Sequence, residues 1–305
     1  MKLFKIFTLS AIALVLMSRV SFAMDRCTSV PTHSLPISYQ DGHLLPLVKG
    51  TINDKEVTML LDTGAAWTSF VPSGVKKLSL FSMAVDHKIR GTAGESSASI
   101  TKVKTFEFAG IKNENPYFFV VHNLGFDPYF DLILGADYLL KKTIEINVKE
   151  GKVYFYDKFD CDINVFRRKK TESFAVKFFG LTEDNTKPKF TVTIGPHTFT
   201  AIIDTGASKS TMLINTARKI GIPIDFKSAK NIDWVSGVGG DVRAMSIGIT
   251  EVKIDNHIVD QKGFFVKDNP ISPDSDVTDI ILGLDFLKKY SVIFDVKAQS
   301  IIFVK

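Results

Sequence analysis

The segment Leu60-Leu61-Asp62-Thr63-Gly64-Ala65 recurs 142 residues later as Ile202-Ile203-Asp204-Thr205-Gly206-Ala207. An apolar run ending in Asp, a small hydroxyl residue and Gly reads as a buried strand that turns sharply with a carboxylate at its tip. Gly permits backbone approaches that a side chain would block, so one copy of the loop can pack directly on the other. Two such loops bring two carboxylates together.

The flanks repeat as well. The offset of 142 also pairs Pro46 with Pro188, Ile52 with Ile194, Val57 with Phe199 and Thr58 with Thr200. Ile133-Leu134-Gly135-Ala136-Asp137-Tyr138-Leu139 is echoed by Ile281-Leu282-Gly283-Leu284-Asp285-Phe286-Leu287 at an offset of 148, which continues through Ile144 and Val292 to Phe155 and Phe303. The chain is a tandem duplication with about six additional residues inside the second copy.

An apolar-Asp-Thr-Gly-Ala loop, a later glycine-bearing hairpin and an apolar-apolar-Gly segment before a short helix together resemble the retropepsin-like aspartic proteases. The resemblance covers roughly residues 40–156 and 186–305. It implies an all-β protein of two retropepsin-like acid-protease lobes, of the closed β-barrel type and related by a pseudo-twofold axis, each with a short helix. Retropepsins assemble from two chains; here the copies are joined, as in pepsin, which implies a monomer containing an intramolecular pseudo-dimer.

The ends of the chain carry separate signals. Lys2 and Lys5 precede an apolar stretch from Ile6 to Met17, and Ser21-Phe22-Ala23 offers small residues at a signal-peptidase site, so residues 1–23 read as a cleaved export signal. A membrane anchor would need roughly 20 apolar residues. Export implies a periplasmic or secreted protein. The net charge of +5 falls to +2 once Lys2, Lys5 and Arg19 leave with the signal, which gives nucleic-acid binding no support. Cys27 and Cys161 are the two cysteines; in an oxidising compartment they permit one disulfide, and two free thiols fit the sequence equally.

The expected domains are an N-terminal lobe at 24–156, a linker at 157–172 and a C-terminal lobe at 173–305. Alternating apolar and β-branched residues predict strands at 44–48, 51–52, 57–61, 100–108, 117–121 and 132–134, a hairpin over 144–156, and their equivalents in the second copy. Helices are expected around 75–80, 136–142, 214–220 and 284–290. Arg167-Arg168-Lys169-Lys170 lies in the linker and reads as a solvated connector.

Two carboxylates that share one proton can serve as base and acid together, because like charges so close cannot both stay ionised. The expected catalytic pair is Asp62 and Asp204, holding a water that attacks a peptide carbonyl. By the resemblance, Thr63 and Thr205 hydrogen-bond across the loops, and Gly64 and Gly206 supply backbone N–H groups. The tips with Gly91 and Gly94, and with Gly237, Gly239 and Gly240, would be flaps that bind substrate, although neither carries a flap tyrosine. Ala65 and Ala207 stand where pepsin-like proteins often have a hydroxyl residue, which should shift activity toward mildly acidic pH. Asp137 and Asp285 are expected to cap their own short helices.

Other chemistries find no pattern. The six His show no His-Glu-x-x-His spacing, Gly206 to Ser210 is no nucleophile elbow, and Val242 stands where a dinucleotide fingerprint needs glycine. No metal or cofactor is expected. The sequence therefore predicts an exported aspartic endopeptidase acting on peptide or protein substrates. A peptide-binding or inhibitory protein on the same fold is the alternative.

Overall fold

The computed structural model describes residues 29–161, 172–182, 185–227, 232–268 and 278–305. The expected signal at 1–23, Cys27 and the basic run at 167–170 lie outside these residues. Cys161 is disulfide-bonded. Among the described residues no helix is long and apolar enough to cross a membrane.

The first lobe is a nine-stranded curled sheet. In chain order its strands are β2 (Leu47–Ile52), β3 (Lys55–Leu61), β4 (Ser69–Phe70), β5 (Ser82–Gly91), β6 (Gly94–Lys102), β7 (Thr105–Phe108), β8 (Ile111–Glu114), β9 (Tyr117–Val121) and β10 (Leu132–Leu134), and their spatial order is β5-β6-β9-β4-β10-β3-β2-β7-β8. The second lobe comprises β14 (Phe190–Ile194), β15 (His197–Ile203), β16 (Thr211–Leu213), β17 (Asp233–Gly237), β18 (Gly240–Gly248), β19 (Val252–Ile254), β20 (His257–Val259), β21 (Gly263–Lys267) and β22 (Ile280–Leu282). Its order, β17-β18-β21-β16-β22-β15-β14-β19-β20, reproduces the first strand for strand.

A third sheet joins the lobes. It runs β1 (His33–Pro36), β12 (Lys152–Tyr156), β11 (Thr143–Asn147), β23 (Ser291–Asp295), β24 (Ser300–Val304) and β13 (Ser173–Lys177). At its centre Ile144 pairs with Phe294, Glu145 with Ile293 and Ile146 with Val292. At the offset of 148 Glu145 faces its own duplicate, and Ile144 and Ile146 face each other's duplicates, so the pseudo-twofold axis passes between Glu145 and Ile293. That register is the internal analogue of a symmetric dimer interface. Ile144, Ile146, Phe155, Val292, Phe294 and Phe303 are buried here and make the cores of both lobes continuous.

Each lobe has two short helices, at the four places expected from the sequence: α1 (Pro72–Lys77) and α2 (Ala136–Leu139), then α3 (Ile214–Lys219) and α4 (Leu284–Leu287). Helix α1 starts before the expected Val75, because Pro72 supplies a helix-ready φ in its first turn. The expected strand at 100–108 is two strands: Lys104 and Thr105 both donate backbone N–H to Asn53 Oδ1, at 2.7 and 3.1 Å, and the corner redirects the chain from β9 to β2.

A carboxylate beside β3, and its counterpart beside β15, repeats in both lobes. Asp131 Oδ2 accepts from Thr58 N at 2.8 Å and Lys77 Nζ at 2.7 Å, while Asp279 Oδ2 accepts from Thr200 N and Oγ1, both at 2.9 Å. Removing the acceptor strands a backbone donor. Asp131→Ala is expected to cost about 2–3 kcal/mol in urea unfolding, and Asp131→Asn less.

Candidate active site

Strands β3 and β15 are the buried stems of the two repeated loops. Each lies parallel to an apolar strand, β10 or β22, which holds the loop from below: Asp62 N donates to Leu134 O at 3.1 Å and Asp204 N to Leu282 O at 2.9 Å. Just beyond, Ala136 N donates to Ala65 O and Leu284 N to Ala207 O, both at 2.8 Å. The apolar-apolar-Gly segments thus buttress the loops that precede them by some 70 residues.

The loops meet at the axis through their threonines. Thr63 N donates to Thr205 Oγ1 at 3.0 Å and Thr205 N to Thr63 Oγ1 at 3.2 Å; each hydroxyl in turn donates to the opposite stem, Thr63 to Ile203 O at 2.8 Å and Thr205 to Leu61 O at 2.7 Å. Both threonines are fully buried, so every polar atom in this crossing depends on the other lobe. The glycines allow the approach. A Cβ on Gly64 would stand 2.2 Å from Asp204 Cγ, and one on Gly206 2.4 Å from Asp62 Cγ.

The carboxyl groups of Asp62 and Asp204 thus meet at the axis, each set against the glycine of the other's loop. Asp62 Oδ1 also accepts from Gly64 N and Ala65 N, both at 2.9 Å, and Asp204 Oδ1 from Gly206 N at 2.8 Å. Burial, followed by the neighbouring Asp204 charge, drives Asp62 well above the ordinary carboxylate range. Burial raises Asp204 too, against the opposing pull of the Asp62 hydrogen bond, the Gly206 N–H and the charges of Lys187 and Lys267. Both carboxyls are raised, and their titration belongs to the pair.

The two glycine-bearing segments are hairpins. The β5–β6 tip and the β17–β18 tip touch: Ala93 N donates to Val238 O at 3.0 Å. Gly239, at φ +99°, lies so close to the opposite tip that a Cβ there would stand 2.4 Å from Gly94 N. Gly91 packs on Val238 and Gly237 on Thr92, so all but Gly240 of the predicted tip glycines meet the other lobe's tip; Gly240 lies beside Gly125 and Asn123.

Asp137 and Asp285 correct the expectation drawn for them. Neither makes a side-chain cap to its own helix, whose N-cap positions are Gly135 and Gly283. Asp137 Oδ1 instead accepts from Thr68 N and Oγ1 at 2.9 and 2.7 Å, and Asp285 Oδ1 from Ser210 N and Oγ at 2.8 and 2.7 Å. They anchor the outgoing arm of each Asp-Thr-Gly loop. Burial raises the Asp137 carboxyl to about 6, against the Thr68 hydrogen bonds. Thr68, Ser210, Lys187 and Lys267 are site neighbours that the sequence reading did not single out. Among the described residues no three His, Cys, Asp or Glu side chains converge as a metal site.

Comparison with known families is consistent between the two halves. Residues 48–138 match a family model described as "Aspartyl protease", and residues 190–289 one described as "gag-polyprotein putative aspartyl protease". The first match contains Asp62 and the second Asp204. No curated protein matches the chain.

A carboxyl raised by folding binds more protons in the folded than in the unfolded chain, so its contribution to stability is greatest at low pH and declines as pH rises. Asn at position 62 keeps an acceptor for Gly64 and Ala65 and can donate to Asp204 without this cost. Asp62→Asn is expected to melt about 2 °C or more above wild type at pH 7, with the gap closing toward pH 3, in calorimetric scans.

Proposed function

As a tandem pair of retropepsin-like aspartyl-protease segments, this chain is, we propose, an exported endopeptidase that cuts peptide bonds with a water held between Asp62 and Asp204. The observation that carries the reading is the meeting of two carboxyls, each set against the glycine of the other's loop, on loops locked across the axis. Peptide hydrolysis asks for a base to activate water and an acid to polarise the carbonyl, and a pair sharing one proton supplies both.

In the free protein the pair shares one proton, and the charges of Lys187 and Lys267 near Asp204 suit it to the role of base, with Asp62 as acid. The water gives a proton to Asp204 as its oxygen attacks the carbonyl carbon. Asp62 donates to the carbonyl oxygen, and a proton then passes to the departing nitrogen. The backbone N–H groups of Gly64, Ala65 and Gly206 hold the carboxylates in place. Thr63 and Thr205 act as positioning residues. The touching tips around Gly91, Gly94, Gly237, Gly239 and Gly240 are suited to act as flaps that exclude bulk water and hold an extended peptide by its backbone. The 1–23 signal supports delivery to a periplasm or beyond, and the internal pseudo-dimer supports action as a monomer.

Activity requires one proton on the pair, so the rate rises as the first carboxyl ionises and falls as the second does. Both are raised, and Ala65 and Ala207 offer no hydroxyl to the outer carboxylate oxygens. The pH profile of kcat/KM on a peptide library is expected to be bell-shaped with its maximum above about pH 3. Asp62→Asn and Asp204→Asn should each lower kcat by at least about a hundredfold. Retained cleavage in either variant would defeat the paired mechanism.

A further inference from the structure

The duplication provides an internal comparison for each wall of the cleft. In the first lobe the sheet face turned away from the core is apolar: Leu47, Leu60, Val121 and Ile133 cluster there, with Ala65 of the Asp-Thr-Gly loop and Val238 of the opposite tip against them. Leu45 packs beside them. The equivalent face of the second lobe is built differently. The offset of 142 puts Lys187 at the place of Leu45 and Lys189 at that of Leu47. Strand register puts Lys267 at the place of Val121, since Val121 faces Ala98 of β6 and Lys267 faces Ala244 of β18. Three apolar positions have become lysines.

Two of these lysines are buried, Lys189 at 6% exposure and Lys267 at 9%. Val266 lies in the core on one face of β21, so alternation turns Lys267 to the cleft face. Among the described residues its ammonium makes no hydrogen bond or salt bridge, while the charge of Asp204 reaches it. The charge of Lys187 also reaches Asp204. A buried ammonium with no directly bonded partner is costly even with the Asp204 charge nearby, and removing it would be simple, since Val serves at the same place in the other lobe. Its retention beside the cutting site is explained if a ligand brings a carboxylate into direct hydrogen-bonding reach.

An extended peptide turns successive side chains to opposite faces, and the pseudo-twofold axis sets the residues on either side of the cut bond against different lobes. We propose that this protein selects peptides carrying an Asp or Glu side chain on the second-lobe side, at Lys267 and Lys187, and an apolar side chain on the first-lobe side, at the partly exposed Leu45, Ala65 and Val238 that cover the apolar cluster. The substrate class, which rests on the hydrolytic reading above, is an acidic-apolar peptide.

The test uses quenched fluorescent peptides that differ only by Glu, Gln or Leu at each position near the cut bond, together with anisotropy measurements of their binding to the Asp62→Asn protein. Gln matches Glu in shape and lacks its charge. Wild type is expected to favour Glu over Gln at one position by roughly tenfold to a hundredfold in kcat/KM, the worth of one charged hydrogen bond. Lys267→Met should bring that ratio to within about twofold, and the more exposed Lys187→Met should lower it partway; raised salt should weaken it. A ratio near one at every position in wild type, or one that survives both lysine variants, overturns the proposal. Binding separates this failure from that of the hydrolytic reading. If wild type cuts nothing but Glu peptides bind Asp62→Asn more tightly than Gln peptides, and adding Lys267→Met removes the difference, the carboxylate site stands and hydrolysis falls. Equal binding of Glu and Gln peptides overturns the carboxylate site whether or not cleavage occurs.

Discussion

The reciprocal crossing of Thr63 and Thr205 is the constraint on which the site depends. Each hydroxyl accepts from the opposing backbone N–H and donates to the carbonyl that ends the opposing stem. In a buried setting an unmade bond of this kind costs the full desolvation of the group, so the four bonds form together or not at all. The central sheet, with its axis between Glu145 and Ile293, brings the lobes into register. The threonines convert that register into a fixed meeting of two carboxyls, and Gly64 and Gly206 leave room for it.

Much of this was legible because its signals are local. The Asp-Thr-Gly loops, the turn at Asn53-Asp54 with both residues at positive φ, and the apolar-Gly segments need only a few neighbouring residues to declare themselves. The duplication made them stronger, since two copies of a loop imply a meeting that one copy does not. What escaped depends on partners distant in sequence. Strands β1 and β13 exist because β12 and β24 offer open edges to them. Asp137 looked like a helix cap because it begins a short apolar helix, but its partner Thr68 lies 69 residues upstream. Lys267 ends a strand, a place where a charge ordinarily meets solvent; only the sheet register turns it inward.

The two lobes are equal in topology and unequal in charge. Strand order and loop hydrogen bonding repeat closely, whereas the cleft face is apolar in one lobe and lysine-bearing in the other. This difference divides the labour of the pair. Positive charge near Asp204 favours its ionised form. A single chain can hold such an asymmetry; a dimer of identical chains cannot, because any substitution appears on both sides.

The central claim is that Asp62 and Asp204 titrate as one unit. Carbon-13 NMR of aspartate-labelled protein, followed from about pH 2 to pH 9, observes this directly, with Asp204→Asn used to assign the signals. Two separated steps shared by the pair, the upper one raised beyond the ordinary carboxylate range and merging into a single step in Asp204→Asn, are the predicted result. Two independent carboxyls titrating near the ordinary value, with Asp62 indifferent to the change at 204, would contradict the account.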